Sequence, residues 1–180
     1  MKGEWEKENF DNVTLQPVSG VPNWKRNEAS LQLIEPRAAN LSLLALGNSI
    51  GTPEEGLEGE VFVVSSFDEL NQKQNQAVGK IVLFNAVFTH YGETVTYRVN
   101  GAYHAAAAGA IGCLVRSITP YSLQTPHTGV MRYQDNTTKI PTAAITLETA
   151  DYFQVLFIII QFLKLDDLVF IFFPAITRSQ

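Results

Sequence analysis

Three histidines, one Glu-Glu pair, one Asp-Asp pair and one cysteine are the residues here that could hold metal or carry catalysis. His90, His104 and His127 never pair at the i,i+4 spacing that places two imidazoles on one helical face. The H-E-x-x-H arrangement of many zinc peptidases is therefore absent. His90-Tyr-Gly-Glu93 sets a carboxylate three residues from an imidazole. No third ligand accompanies it, and the segment reads as a surface loop. His104 falls in an alanine-rich stretch and reads as a packed or helix-surface residue. His127 lies in Thr125-Pro-His-Thr-Gly129, a rigid loop that displays its side chains. Loops carry function more often than cores do, so His127 is kept as a loop-contact candidate. Glu54-Glu55 sits among Gly and Pro and reads as solvated. Asp166-Asp167 has no histidine at useful spacing. Cys113 opens the apolar Cys-Leu-Val and reads as core, with no neighbouring base to activate it. There is no G-x-S-x-G, no P-loop and no G-x-G-x-x-G after a strand. The residues alone assemble no catalytic site and no metal site.

The elements that would position these groups are short. Val13–Val18 alternates apolar and polar, a strand signal, before Pro17, Gly20 and Pro22 break the chain. Ser30–Ile34, Leu41–Leu46, Glu60–Val64, Ile81–Phe84 and Gly112–Val115 read as further strands. Ile140–Ile145 reads as the last of these, with Pro141 arguing for an edge or a bulge. Asp68–Ala77 is helix-compatible with Ser66 as its N-cap. Thr94–Ile111, with Ala102, Ala105–Ala108 and Ala110, favours a helix that Gly109 and Gly112 close. A further helix starts at Glu148–Tyr152. The expected fold class is α+β: a small sheet or open β-barrel with helices at its side.

Composition bounds the function. The 180 residues suit one domain with a real core. Charged residues make up 17%, below the usual quarter or so, and 11 Phe, 6 Tyr and 2 Trp argue for packing. Disordered chains have the opposite profile. A net charge of −5 without a Lys/Arg cluster argues against nucleic acid. One cysteine excludes an internal disulfide framework. The charged first ten residues lack the apolar stretch of a signal peptide. Against a cytosolic reading stand the sequons at Asn12, Asn40 and Asn136.

The composition shifts at Phe153. Six of the 11 Phe follow, at 153, 157, 162, 170, 172 and 173. The longest uncharged run there, Tyr152–Leu163, is shorter than the roughly 20 residues a membrane span needs. Joining both apolar runs would centre Lys164, Asp166 and Asp167 in the bilayer. Three readings stand: a membrane anchor, two buried strands (Val155–Ile160 and Leu168–Phe173) around an Asp-Asp turn, or a non-native tail. Unpaired Phe/Ile windows invite aggregation, so residues 1–152 are expected to be more soluble than the whole.

From Val13 to about Tyr152 the sequence resembles the carboxypeptidase Q (plasma glutamate carboxypeptidase) family. The resemblance rests on Pro22-Asn-Trp-Lys-Arg-Asn-Glu28, Leu33-Ile-Glu-Pro-Arg37 and Leu44-Ala-Leu-Gly-Asn-Ser-Ile-Gly-Thr-Pro-Glu-Glu-Gly56. Val64-Ser-Ser-Phe-Asp-Glu-Leu70, Gly79-Lys-Ile-Val82, the Pro-His-Thr-Gly of Ser122–Gly129, Tyr133-Gln-Asp135 and Lys139-Ile-Pro-Thr-Ala143 extend it. The resemblance implies a secreted or lysosomal zinc metallopeptidase acting on dipeptides and short peptides, with a protease-associated (PA) domain inserted into a two-zinc catalytic domain. It implies that this sequence matches the insert, leaving residues 1–12 as an N-terminal remnant, 13–152 as the PA domain and 153–180 as a non-native or truncated hydrophobic tail.

No G-H-x-D segment and no Glu-Glu of the base-plus-ligand type can be carried over, since Glu54-Glu55 lies inside the insert. The expectation is a segment incomplete at both ends, with no catalytic residue, no metal ligand and no cofactor of its own, the zinc belonging to the full-length family. Its expected partners are the parent catalytic domain and a second copy in a homodimer; no nucleic acid and no membrane span are expected. The alternative is a non-catalytic PA-type binding module, tethered to a membrane through its tail.

Overall fold

The computed structural model describes residues 2–20, 24–26 and 28–162, and the backbone of 163 and 169–174. Its centre is built from β4 (Leu57–Val64), β5 (Ile81–Phe84), β6 (Gly112–Arg116) and β7 (Thr142–Ile145). These strands pair in parallel, β4 with β5, β5 with β6 and β6 with β7. Every residue of β5 and β7 is buried. That is why Ile-Val-Leu-Phe and Thr-Ala-Ala-Ile read as continuous apolar runs: both faces of a parallel sheet are covered. The antiparallel strand β3 (Leu43–Ala45) pairs with β7. The result is a five-stranded mixed sheet.

Parallel neighbours require crossovers. The helix α2 (Phe67–Gln72) and a 3-10 turn (Gln74–Gln76) join β4 to β5, and α3 (Tyr91–Ala107) joins β5 to β6. Ser66 starts α2 as the sequence suggests: its Oγ accepts from the Glu69 N–H at 3.1 Å. The Glu69 carboxylate returns the favour, accepting from the Ser65 N–H and hydroxyl at 2.7 Å each. Ser66→Ala should therefore cost about 1 kcal/mol, read as a lower urea midpoint at unchanged m-value.

A second ladder shares β4. Its first half, Leu57–Glu60, pairs antiparallel with β8 (Val169–Pro174), while Val61–Val64 pairs with β5. The strand β8 in turn pairs with β1 (Ala29–Leu33), and β1 with β2 (Ala39–Leu41). The strand order is β2-β1-β8-β4-β5-β6-β7-β3. Among the described residues β2 and β3 remain unjoined edges, so the sheet is open and no barrel closes.

Alternation along the central strands fills two core layers. Phe62, Val64, Val82, Phe84, Cys113 and Val115 face α2 and α3. Val61, Val63, Ile81, Leu83, Leu114 and Ile145 face the other way, onto Leu31, Leu33, Ala150 and Phe153.

Four local expectations change. Val13–Val18 is not a strand: Leu15 and Val18 are 75% exposed and no neighbour among the described residues completes a ladder, so alternation alone had nothing to pair with. The helix α3 begins at Tyr91 rather than Thr94, because the N–H groups of Glu93 and Thr94 already bond to the His90 carbonyl. Pro141 marks no sheet edge, since β7 has neighbours on both sides. It precedes the strand, where its carbonyl accepts from Cys113 N–H at 2.9 Å and no amide donor is required. Val155–Ile160 is helical, within α4 (Leu147–Leu163). Thr146 nucleates that helix: its Oγ1 accepts from Thr149 N–H at 3.1 Å and its carbonyl from Ala150 N–H at 3.0 Å.

The composition break at 152/153 thus falls inside α4, and Phe153 is fully buried. The Asp166-Asp167 turn lies outside the described residues. No helix among the described residues is long and apolar enough to cross a membrane.

Candidate functional site

Because β4, β5 and β6 are parallel, their carboxyl ends share one edge of the sheet. Ligands of open α/β sheets bind beyond such an edge. An open cleft of about 330 Å³ lies there, lined by Ser65, Val87, Thr89, Glu93, Thr94 and Tyr97 among others. Its polar groups come from the β5–α3 loop and the first turn of α3. Thr89 Oγ1 donates to Glu93 Oε2 at 3.0 Å, and His90 Nε2 lies 3.1 Å from Glu93 Oε1. These contacts, Thr89 first and His90 second, hold the Glu93 carboxyl below its usual range. The Thr89 N–H donates to Thr94 Oγ1 at 3.1 Å, which fixes the loop against the helix.

Glu69 stands on the adjoining β4–α2 turn. Partial burial works to raise its pKa, but hydrogen bonds from Lys73 at 2.7 Å and from Ser65 prevail and hold it at about 2. A carboxylate depressed on folding stabilises the native state above its unfolded pKa. That contribution is lost as pH falls from about 4.5 toward 2. The stability difference between the native chain and Glu69→Gln should be constant above pH 5 or so and shrink on acidification through that window. Thermal melts of both proteins at stepped pH check this.

At the end of β6, Arg116 is answered by Asp151 of α4, Nη2 to Oδ2 at 3.2 Å and Nη1 to Oδ1, and by Asn85 Oδ1 at 2.8 Å. This cluster ties β5, β6 and α4 together. His104 is stacked on Phe67 with ring centroids 4.0 Å apart, and burial lowers its pKa. Cys113 is buried, which pushes its thiol up and away from the reactive thiolate.

His127 is exposed on a loop stitched to the sheet. Its N–H donates to Ser117 Oγ at 2.7 Å, and Ser117 Oγ donates to the Ile145 carbonyl at 2.7 Å. Thr128 Oγ1 reaches the Ala45 carbonyl at 3.1 Å, and Gly47 N–H donates to Gly129 O at 2.7 Å. His127 and the His90–Glu93 pair are thus presented by separate loops. Asn12, Asn40 and Asn136 are all exposed, Asn40 in β2 and the other two at positive φ.

Zinc needs three or more converging N, S or O ligands. Among the described residues no group of three His, Cys, Asp or Glu converges. His90 with Glu93 offers two donors, both exposed, so the donor set does not fit a zinc centre.

One polar group escapes a composition-led reading. Arg98 is 9% exposed and shares the buried stripe of α3 with Thr94, Gly101, Ala102 and Ala105. A charged residue in that stripe, at i+4 from Thr94 and i−4 from Ala102, was the available sequence signal.

No family model matches the chain. Solved structures define the class of fold. A peptidase M28 precursor from Shewanella amazonensis superposes with a TM-score of 0.86 and 31% identity, covering 99% of this chain and 40% of that one. A zinc aminopeptidase from Bacillus subtilis shares the fold at a TM-score of 0.59 and 18% identity, over 88% of this chain and 33% of its own. The sheet and helices are those of a domain found within M28 peptidases.

Sequence narrows this to one kind of peptidase. Carboxypeptidase Q of Xenopus laevis is 51% identical over 146 residues, and that of Homo sapiens 47% over 146, each match covering 81% of this chain and 31% of the relative. Over those residues the chain is homologous to a segment of carboxypeptidase Q. It spans about a third of the length of the curated relatives it matches.

Proposed function

We propose that this chain is the non-catalytic, PA-type segment of a carboxypeptidase Q-like zinc metallopeptidase. The observation that carries the reading is the 51% identity over 146 residues that make up only 31% of the relative. A segment so similar, yet bringing no three metal-binding side chains together among its described residues, serves the reaction by shape and binding. The zinc and its ligands belong to the rest of the polypeptide. The segment's role is to cap the catalytic cleft and exclude long peptides, with the catalytic domain of the same polypeptide as its partner. Homodimer formation through this segment, secretion or lysosomal residence, and glycans on Asn12, Asn40 and Asn136 complete the proposal.

The test is direct. The purified chain, incubated with zinc and a panel of dipeptides, should release no amino acid above the buffer rate. Zinc-dependent release that a chelator abolishes would overturn the reading.

A further inference from the structure

Among the described residues the guanidinium of Arg98 is buried without an answering charge. Arginine stays protonated in proteins, so it cannot relieve burial by titrating. Buried charges are as a rule paired, because an unpaired one loses its hydration for nothing. Arg116 obeys that rule through Asp151. Arg98 does not: none of the ion pairs among the described residues includes it.

Its partners are weak ones. Nη2 donates to the Tyr91 hydroxyl at 2.7 Å, and the cation lies 5.6 Å from the Tyr91 ring centroid. Nε is buried with no acceptor among the described residues. The guanidinium lies close against Gly129, where a β-carbon would overlap Nε and Cζ and come within 3.0 Å of Cδ. Gly129 is fixed by its bond to Gly47. Two walls, Tyr91 and the Gly129 backbone, therefore hold the fork in place.

We propose that Arg98, framed by Tyr91 and Gly129, is the receptor for a carboxylate supplied from beyond the described residues. The planar fork matches a carboxylate in a bidentate, charge-assisted pair. Two sources share that chemistry. One is the terminal carboxylate of a short peptide, a source that rests on the peptidase reading above. The other is an Asp or Glu side chain of the polypeptide beyond this segment, which would make Arg98 an internal clamp independent of any substrate.

The experiment has two arms. In the first, ¹⁵N spectra of this chain follow the Arg98 Nε–H and the Gly129 amide during titration with alanylalanine or its C-terminal amide. In the second, Arg98→Met and Arg98→Lys are compared with the native residue in the full-length polypeptide, reading KM, kcat and Tm. A response to alanylalanine but not the amide, with KM raised roughly ten- to hundredfold at similar kcat, supports a substrate carboxylate. No response to either dipeptide, but a Tm loss in the full-length variants larger than in this chain alone, supports the side-chain clamp. The absence of both responses overturns the proposal. Arg98→Lys keeps the charge without the fork and decides the matter where Arg98→Met fails to fold.

Discussion

Phe84→Ala should destabilise the chain by about 3–5 kcal/mol, the usual cost of emptying a buried aromatic site. Phe84 ends the central strand β5 and is fully buried. Its ring meets Phe67 edge-on with centroids 5.1 Å apart and Tyr97 at 5.8 Å. Behind it the helix α3 comes so close that a β-carbon on Gly101 would lie 3.2 Å from the Phe84 ring. Three elements therefore converge on one side chain, and backbone held this closely relaxes little to fill a hole. Against a total stability of about 5–15 kcal/mol the loss is a large share. Urea unfolding should show it as a lowered midpoint. Val87→Ala, three positions on and 74% exposed, should stay within about 0.5 kcal/mol of the native chain.

The central sheet was legible because its code is strong and local. Glu60–Val64, Ile81–Phe84 and Gly112–Val115 are apolar runs bounded by turn residues, and the ladders confirm them as parallel strands buried on two faces. Ser66 was legible for the same reason: a cap is a rule about four residues. The boundaries that failed depend on partners far along the chain. Val13–Val18 has the right alternation but no neighbouring strand. Val155–Ile160 is β-branched and reads as a strand, yet Thr146 has already nucleated a helix and the sheet face needs Phe153 beneath it. Tertiary context overrides a propensity worth only tenths of a kcal/mol per residue.

The site was less legible than the fold. His90 and Glu93 are close in sequence, and their pairing at 3.1 Å is the kind of contact spacing can suggest. Arg98 is different. Its setting joins α3 to the loop before β7, two segments about thirty residues apart, and only the folded chain brings Gly129 against the guanidinium. A charge in a helix stripe of small residues is the trace such a site leaves in a sequence. The carboxypeptidase Q motifs pointed to the matching relatives directly, because they are long strings in family order rather than inferences from pattern.

Cutting the chain after Tyr152 should abolish its cooperative unfolding. Composition alone argues for that cut, since removing apolar residues raises solubility. Val155, Ile158, Ile159 and Phe162 are indeed 54%, 56%, 44% and 84% exposed. The other face of α4 argues against it. Phe153 is fully buried among Leu31, Val61, Leu83, Leu114 and Ile145, with Leu156, Phe157 and Ile160 packed beside it. Phe157 meets Phe62 edge-on at 5.8 Å. Losing Phe153 alone should cost about 3–5 kcal/mol. The strand β8 bridges β1 to β4 through the registers Leu31 to Phe172 and Leu57 to Phe172. Without it β1 and β2 are left as a two-stranded hairpin, which is marginal in water. Added to the lost packing of Leu156, Phe157 and Ile160, this takes a large share of the roughly 5–15 kcal/mol that a domain holds. Solubility and folding are therefore predicted to move in opposite directions. Residues 1–152 should pellet less, yet give a broad, non-cooperative melt and poorly dispersed amide resonances. A sharp melt with native-like dispersion would instead mean that the fold closes without α4 beyond Tyr152 and without β8. Residues 153–180 would then be an appendage to a domain that ends where the composition breaks.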